Sequence, residues 1–167
     1  MTAEKNLVLE DAQVRQKIRR MAYEIFENNF SEKNIVLAGI DGQGYTLAQR
    51  LAAELSAISP IHVIIVKVLM DKQSPLKSEI TLDVKPDELK KKNVVLVDDV
   101  LNTGRTLAHG MKPFLAIEIK KIEVAVLVNR SHTLFPVQPN YTGYELSTTL
   151  SDHVEVVLGK KSAVYLH

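Results

Sequence analysis

Apolar residues recur along this chain in two rhythms, one helical and one extended. Residues 7–9 form a short apolar lead-in. Val14, Ile18, Met21, Ala22 and Ile25 then fall at helical spacing and predict a helix from about Ala12 to Phe30, with these residues on its buried face. A continuous apolar run from Asn34 to Ile40 predicts a buried strand, and it stops at the turn-rich string Asp41-Gly42-Gln43-Gly44. Leu47, Ala48, Leu51 and Leu55 supply the apolar face of a second helix. Residues 61–70, rich in Val and Ile, predict another strand. Residues 71–77 contain Ser74-Pro75 and predict a loop, with a short strand in 79–84 and a solvated charged stretch in 87–92. Residues 93–98 are the most apolar short run and predict a central strand, followed by a helix over about 104–117 and a strand over 121–129. Residues 131–149 carry two prolines, a glycine and little periodicity, and predict irregular chain. Residues 153–158 and 163–166 predict late strands near a sheet edge.

Strands alternating with helices imply an α/β architecture with a mainly parallel sheet covered on both faces. Ligands in such sheets bind outside the carboxyl ends of the strands. That rule directs attention to three loops, 41–44, 98–106 and the segment after Asn129. Composition narrows the picture further. A chain of 167 residues suits one domain, residues 1–167, and its 46% apolar and 25% charged content is ordinary for a soluble protein. The net charge of +1 argues against a general electrostatic grip on nucleic acid. The absence of cysteine excludes disulfides and thiolate metal sites. The first residues include acids and no apolar run, unlike a secretory signal, and no stretch is apolar enough to span a bilayer. The expected location is the cytoplasm.

The segment from Val94 to Thr106 carries the most chemistry. An apolar strand ends in two adjacent carboxylates, Asp98 and Asp99, which cannot both be comfortably buried and so belong at the strand's exposed mouth. Val100, Leu101 and Asn102 follow, and then Thr103, Gly104, Arg105 and Thr106 open a helix. Backbone N–H groups at a helix start favour an anion, Gly104 allows close backbone approach, and the threonine hydroxyls add hydrogen bonds. Acids at one end and phosphate donors at the other suit a phosphorylated sugar. The acids also suit magnesium, held directly or through water. An acidic strand end followed by an ordinary Thr/Gly cap is the plainer account of each piece alone, but not of the pieces in this order.

This string resembles the phosphoribosyl pyrophosphate (PRPP) signature of the type I phosphoribosyltransferases. The likeness extends to the family of pyrimidine-operon attenuators and uracil phosphoribosyltransferases. It runs through Leu9-Glu10-Asp11 and Ile18 to Glu24, Val36 to Ile40, Thr46 to Leu51, Ala125 to His132, Leu134-Phe135-Pro136, Gly143 and residues 151–158, with a gap near residues 66–90. The resemblance implies a three-layer Rossmann-like fold with a mainly parallel sheet and a small hood formed by the segment after Asn129. It implies ribose contacts by Asp98 and Asp99, with Mg2+ on the same pair. It implies a PRPP loop of Asn102, Thr103, Gly104, Arg105 and Thr106, and pyrophosphate contacts by Asp41, Gly42, Gln43 and Gly44. Val128, Asn129 and Arg130 are implied at the base. The implied reaction transfers the phosphoribosyl group to a nucleobase, with uracil the first expectation, and the implied state is a homo-oligomer.

Departures from the family pattern bear on turnover. Relatives place basic residues where this chain has Asp41, Gly42 and Gln43, and an acid there repels pyrophosphate unless magnesium intervenes. They also carry a Tyr-Arg-Asp-Asp-like mobile loop, whereas residues 68–76 here hold neither arginine nor tyrosine. Lys67, Lys72 or Lys77 are the available cations, though a point charge does not replace a bidentate guanidinium. Asn129 stands where the family usually has Asp. Purine-using relatives have an acid at the position of Asn102, which disfavours a purine. No side chain stands out as a general base.

A second reading is therefore a catalytically weak sensor of PRPP or nucleotide that acts on RNA or a protein partner. The basic residues Arg15, Lys17, Arg19 and Arg20 do not form one stripe, and an ordinary solvated helix face with partners such as Glu24 is favoured over RNA contact. His132 is a candidate for a ligand contact or a plain loop hydrogen bond, and Tyr141 and Tyr144 for covering the base or packing the hood. His62, His109, His153 and His167 show no metal-ligand spacing. A third reading, a dinucleotide-type domain of another family, lacks the third glycine after Gly42-Gln43-Gly44.

Overall fold

A computed structural model describes residues 4–167. The predicted apolar runs Asn34–Ile40 (β2) and Lys121–Asn129 (β6) form strands over those same residues, and His62–Leu69 (β3) and Asn93–Leu101 (β5) complete the centre. With Thr81–Leu82 (β4) and Tyr141–Glu145 (β7) they make a six-stranded sheet in the order β4-β3-β2-β5-β6-β7. All pairings are parallel except that of β4, the antiparallel edge. The period of two along each strand divides its side chains between two cores. On one face Ile35, Leu37, Val95, Val97 and Leu127 pack with Asp11–Asn28 (α1) and Gln43–Ile58 (α2). On the other, Val36, Ala38, Ile40 and Leu96 pack with Leu107 of Arg105–Gly110 (α3) and Phe114 of Lys112–Leu115 (α4). This is the expected three-layer α/β arrangement.

Four local expectations change. The helix predicted over 104–117 breaks at Met111, because Pro113 has no N–H to give to the His109 carbonyl. Strand β5 runs on past the acids to Leu101, since Val100 and Leu101 still pair with Val128 and Asn129 of β6. The segment 131–149, expected to be irregular, contains β7, whose alternation of buried Tyr141 and Gly143 is masked by the flanking prolines. The hood is not formed by the segment after Asn129 alone. Asn6–Leu9 (β1), expected only as a lead-in, joins Val154–Val157 (β8) and Ala163–Leu166 (β9) in a separate antiparallel sheet ordered β1-β9-β8. Its apolar residues Val154, Val156, Leu158 and Val164 join the α1/α2 core, which fixes this small sheet above the carboxyl end of β5. No helix is long and apolar enough to cross a membrane among the described residues.

Candidate active site

A cavity of about 490 Å³ opens at the carboxyl end of β5. Its walls are Lys72 and Gln73 from the loop after β3, residues 98–104 with Thr106 and Leu107, and residues 153–156 of the hood. The two acids and the phosphate loop thus share one chamber.

Asp98 does not lie at an exposed mouth, as its charge suggests, but is buried to 3% exposure. The reason is tertiary. Lys72 Nζ stands 2.8 Å from Asp98 Oδ1 and 3.7 Å from Asp99 Oδ1, and the backbone N–H of Asp99 donates to Asp98 Oδ1 at 2.9 Å. Gly44 presses on the same group: a Cβ there would lie 2.8 Å from Asp98 Oδ1, so only glycine fits. Burial, with the charge of Asp99 second, pushes the Asp98 carboxyl up to about 7, while Lys72 pulls the other way. Burial by itself would lower the Lys72 ammonium, but attraction to Asp98 and Asp99 outweighs it and the net direction is upward.

The phosphate loop owes its shape to Gly104, whose φ of +85° is the left-handed conformation that glycine adopts freely. Thr103 Oγ1 accepts from the Arg105 N–H at 3.3 Å, and the Thr103 carbonyl accepts from Leu134 N at 2.7 Å and Phe135 N at 3.0 Å. The Arg105 guanidinium lies 5.7 Å from the Phe135 ring centre. Thr106 lines the cavity, and the first turn of α3 leaves backbone N–H groups without helical partners.

No residue of the expected pyrophosphate loop lines the chamber, and Gly44 alone packs against one of its acids. Asp41 Oδ1 accepts from Gly42 N at 3.0 Å, Gly42 has φ +101°, and Gly44 meets Asp98 as described. Gln43 Oε1 is buried with no hydrogen-bond partner. Of the three candidate cations only Lys72 reaches the acids. Lys67 Nζ sits 4.5 Å over the Tyr45 ring, and Lys77 lines a separate cleft.

The expected base segment lies elsewhere. Val128 is fully buried in the core, and Asn129 lines an adjoining cleft with Leu101 and residues 131–139. Arg130 makes four hydrogen bonds, to Asn102 Oδ1 (2.8 Å), Thr148 Oγ1 (3.0 Å), the Asp152 carbonyl (2.7 Å) and the Thr149 carbonyl (3.2 Å). It staples the phosphate loop to the segment before β8. His132 donates from Nε2 to the Thr148 carbonyl at 2.6 Å, a loop hydrogen bond. Tyr141 is buried beneath β6, away from the chamber, and Tyr144 lies below Lys17 on α1.

The feature that sequence reasoning missed is the edge of β8. His153 and His167 exchange both backbone hydrogen bonds (2.6 and 2.9 Å). Residues 153, 155 and 157 therefore face β9, while the N–H and C=O groups of Val154 and Val156 point along the open edge. Both valines line the cavity. The strand itself is legible in the alternation of 153–158, but its placement over β5 depends on β1 and β9.

An acid pair and an N–H-rich loop thus lie together under a strand-edged hood. The model of the phosphoribosyl transferase domain family matches residues 8–159, and the chain belongs to that family. The "Bifunctional protein PyrR" of Fusobacterium nucleatum subsp. nucleatum is 34% identical over 99% of this chain and 100% of its own. That of Macrococcus caseolyticus is 32% identical over 98% of this chain and 99% of its own. The fold is shared with the hypoxanthine phosphoribosyltransferase of Trypanosoma cruzi (TM-score 0.74, 16% identity, 86% of this chain and 82% of that one). A hypoxanthine-guanine phosphoribosyltransferase from Bacillus anthracis is similar (TM-score 0.72, 19% identity, 88% and 85%).

Proposed function

We propose that this phosphoribosyltransferase takes uracil as its base, forming the nucleotide from PRPP with release of pyrophosphate. One observation carries the reading: the acid pair and phosphate loop face the open edge of β8 across a single cavity. The 5′-phosphate goes to the N–H groups and hydroxyls of Thr103, Gly104, Arg105 and Thr106. The ribose hydroxyls donate to Asp98 and Asp99. The diphosphate lies toward Asp41, Gly42, Gln43 and Gly44. The C1–oxygen bond to diphosphate breaks as the bond from the base nitrogen to C1 forms, and the nitrogen's proton is released. Positive charge develops on the sugar in between, and the carboxylates stabilise it.

The open edge of β8 presents donor and acceptor in turn from Val154 and Val156, which suits uracil, whose N3–H lies between two carbonyl oxygens. These backbone groups replace Val128 and Arg130 as the expected base contacts.

Asp98 and Asp99 are adjacent hard oxygen donors, and no cluster of three or more His, Asp or Glu side chains stands ready for a metal among the described residues. That donor set fits Mg2+, which characteristically takes one or two carboxylates and fills the rest of its shell with substrate oxygens and water. When bound, the ion would neutralise charge on the leaving diphosphate.

The test is pyrophosphate release from PRPP with magnesium across a panel of bases. Uracil is the expected acceptor, and release with a purine but not uracil overturns the assignment. No release with any base favours the second reading, a sensor of PRPP or nucleotide. The acid and missing cations in Asp41-Gly42-Gln43-Gly44 support that reading. RNA as the sensor's partner has little support from α1, where Arg15 pairs with Asp11 (2.9 Å), and Arg20 with Glu24 and the Gly143 carbonyl (both 2.6 Å).

A further inference from the structure

Lys72 comes from the loop after β3, and its ammonium occupies the acid pair. We infer that Lys72 is the resident cation of this site: it holds the place of a divalent metal, so that the substrate-free site takes no metal and the ion enters only together with PRPP. The inference rests on the acid pair being the sugar and metal end of the site.

Geometry carries it. The ammonium lies 2.8 Å from Asp98 Oδ1 and 3.7 Å from Asp99 Oδ1, the oxygens a metal would need. The side chains of Asp98 and Asp99 are 4% and 19% exposed, so solvent offers the pair little compensation and a fixed partner is required. Asp98 Oδ1 also accepts from the Asp99 N–H at 2.9 Å, and Gly44 packs so close that a Cβ there would lie 2.8 Å from it. Lys72 is the one Lys or Arg among the residues lining the cavity. Its position is built by the loop. Asp71 Oδ1 accepts from Gln73 N at 3.0 Å and Ser74 N at 3.2 Å, closing a turn that brings Lys72 over the acids. A second cation at contact distance from the same oxygens would be repelled by the first. PRPP changes the balance, because its diphosphate supplies further oxygens for a metal and an anionic partner for the displaced ammonium.

The experiment is titration with Mn2+, followed by electron paramagnetic resonance, with and without PRPP. The parent protein is expected to show no saturable Mn2+ site until PRPP is added. Lys72→Met is expected to gain one site without PRPP, at least roughly ten-fold tighter than any in the parent. Lys72→Arg keeps the metal out, and adding Asp99→Asn to Lys72→Met removes the gained site, which assigns the ion to the acid pair. Lys72→Gln repeats the measurement should the Met variant fail to fold. Mn2+ binding by the parent without PRPP as tight as that of Lys72→Met overturns the inference. So does no gain in either neutral variant. A gained Mn2+ site in Lys72→Met with no PRPP binding by any form leaves Lys72 in this role and removes the PRPP reading instead.

Discussion

Two carboxylates are buried in the same sheet near opposite ends, and they are held in contrasting ways. Glu123 lies near the amino end of β6. Its Oε1 accepts from Tyr141 Oη at 3.0 Å and Asn29 Nδ2 at 3.4 Å, and pairs with Lys121 Nζ at 3.2 Å. Asn93 Nδ2 donates to Asn29 Oδ1 at 2.8 Å and extends the network to β5. These partners come from β5, β6, β7 and the end of α1, so the network ties together elements that do not move apart in the fold. Burial raises the Tyr141 hydroxyl well above its ordinary value and keeps it a donor. Asp98, near the carboxyl end of β5, has one side-chain partner, from a loop, and one N–H, from its own neighbour. The first carboxylate has three partners, all on Oε1 and all from regular elements or their ends. The second has a partner that a ligand can replace. A buried charge is tied into the fold in one case and held by a loop at the wall of the cavity in the other.

The contrast can be broken most severely at the ligand end. Replacing Asp98 and Asp99 together with Asn is expected to abolish PRPP binding in a calorimetric titration while circular dichroism still reports a folded chain. Unchanged affinity would remove the pair from the site. At the opposite end, Glu123→Ala leaves Tyr141, Asn29 and Lys121 without their acceptor and is expected to destabilise the protein by about 3 kcal/mol, read from urea unfolding. The affinity of the folded fraction for PRPP should not change, and a large loss would show that the two ends are coupled.

The smallest effect is a difference of sign. In metal-free buffer, the Asp98 carboxyl is raised from 3.8 to about 7 by burial, so the fold favours its protonated form. Its contribution to stability is complete below pH 3.8 and is lost as pH rises through 7. Asp98→Asn should thus leave the melting temperature nearly unchanged at pH 4 and raise it at pH 8, relative to the parent. An offset that is constant across pH would contradict the assignment. Glu123→Ala lowers the melting temperature instead, so the two variants move stability in opposite directions above pH 7.

What the sequence discloses follows the same division. Strands β2 and β6 are legible to the residue because each is an uninterrupted apolar run that only a covered sheet accepts. That the acid pair and the Gly104 loop lie together is legible because the pieces are local: spacing alone sets Asp99 five residues ahead of Gly104. The burial of Asp98 is not legible, since it depends on Lys72 and Gly44 arriving from two other loops. Arg130 sits beside a functional segment in sequence, but its hydrogen bonds reach residues 102 and 148–152, so proximity along the chain misplaces its role. Tyr141 reads as an aromatic of a loop and proves to be the buried start of an edge strand.

The pairing of β1 with β9 has a consequence for synthesis. Residues 6 and 7 face residues 166 and 165 across that ladder, so β1 leaves the ribosome well ahead of its partner and waits while every element between them is made. The phosphate loop and the acid pair have emerged long before then. A growing polypeptide of this kind acquires the wall of the cavity that carries Asp98 and Asp99 first, and the β8 edge opposite it only when β9 is free to fold.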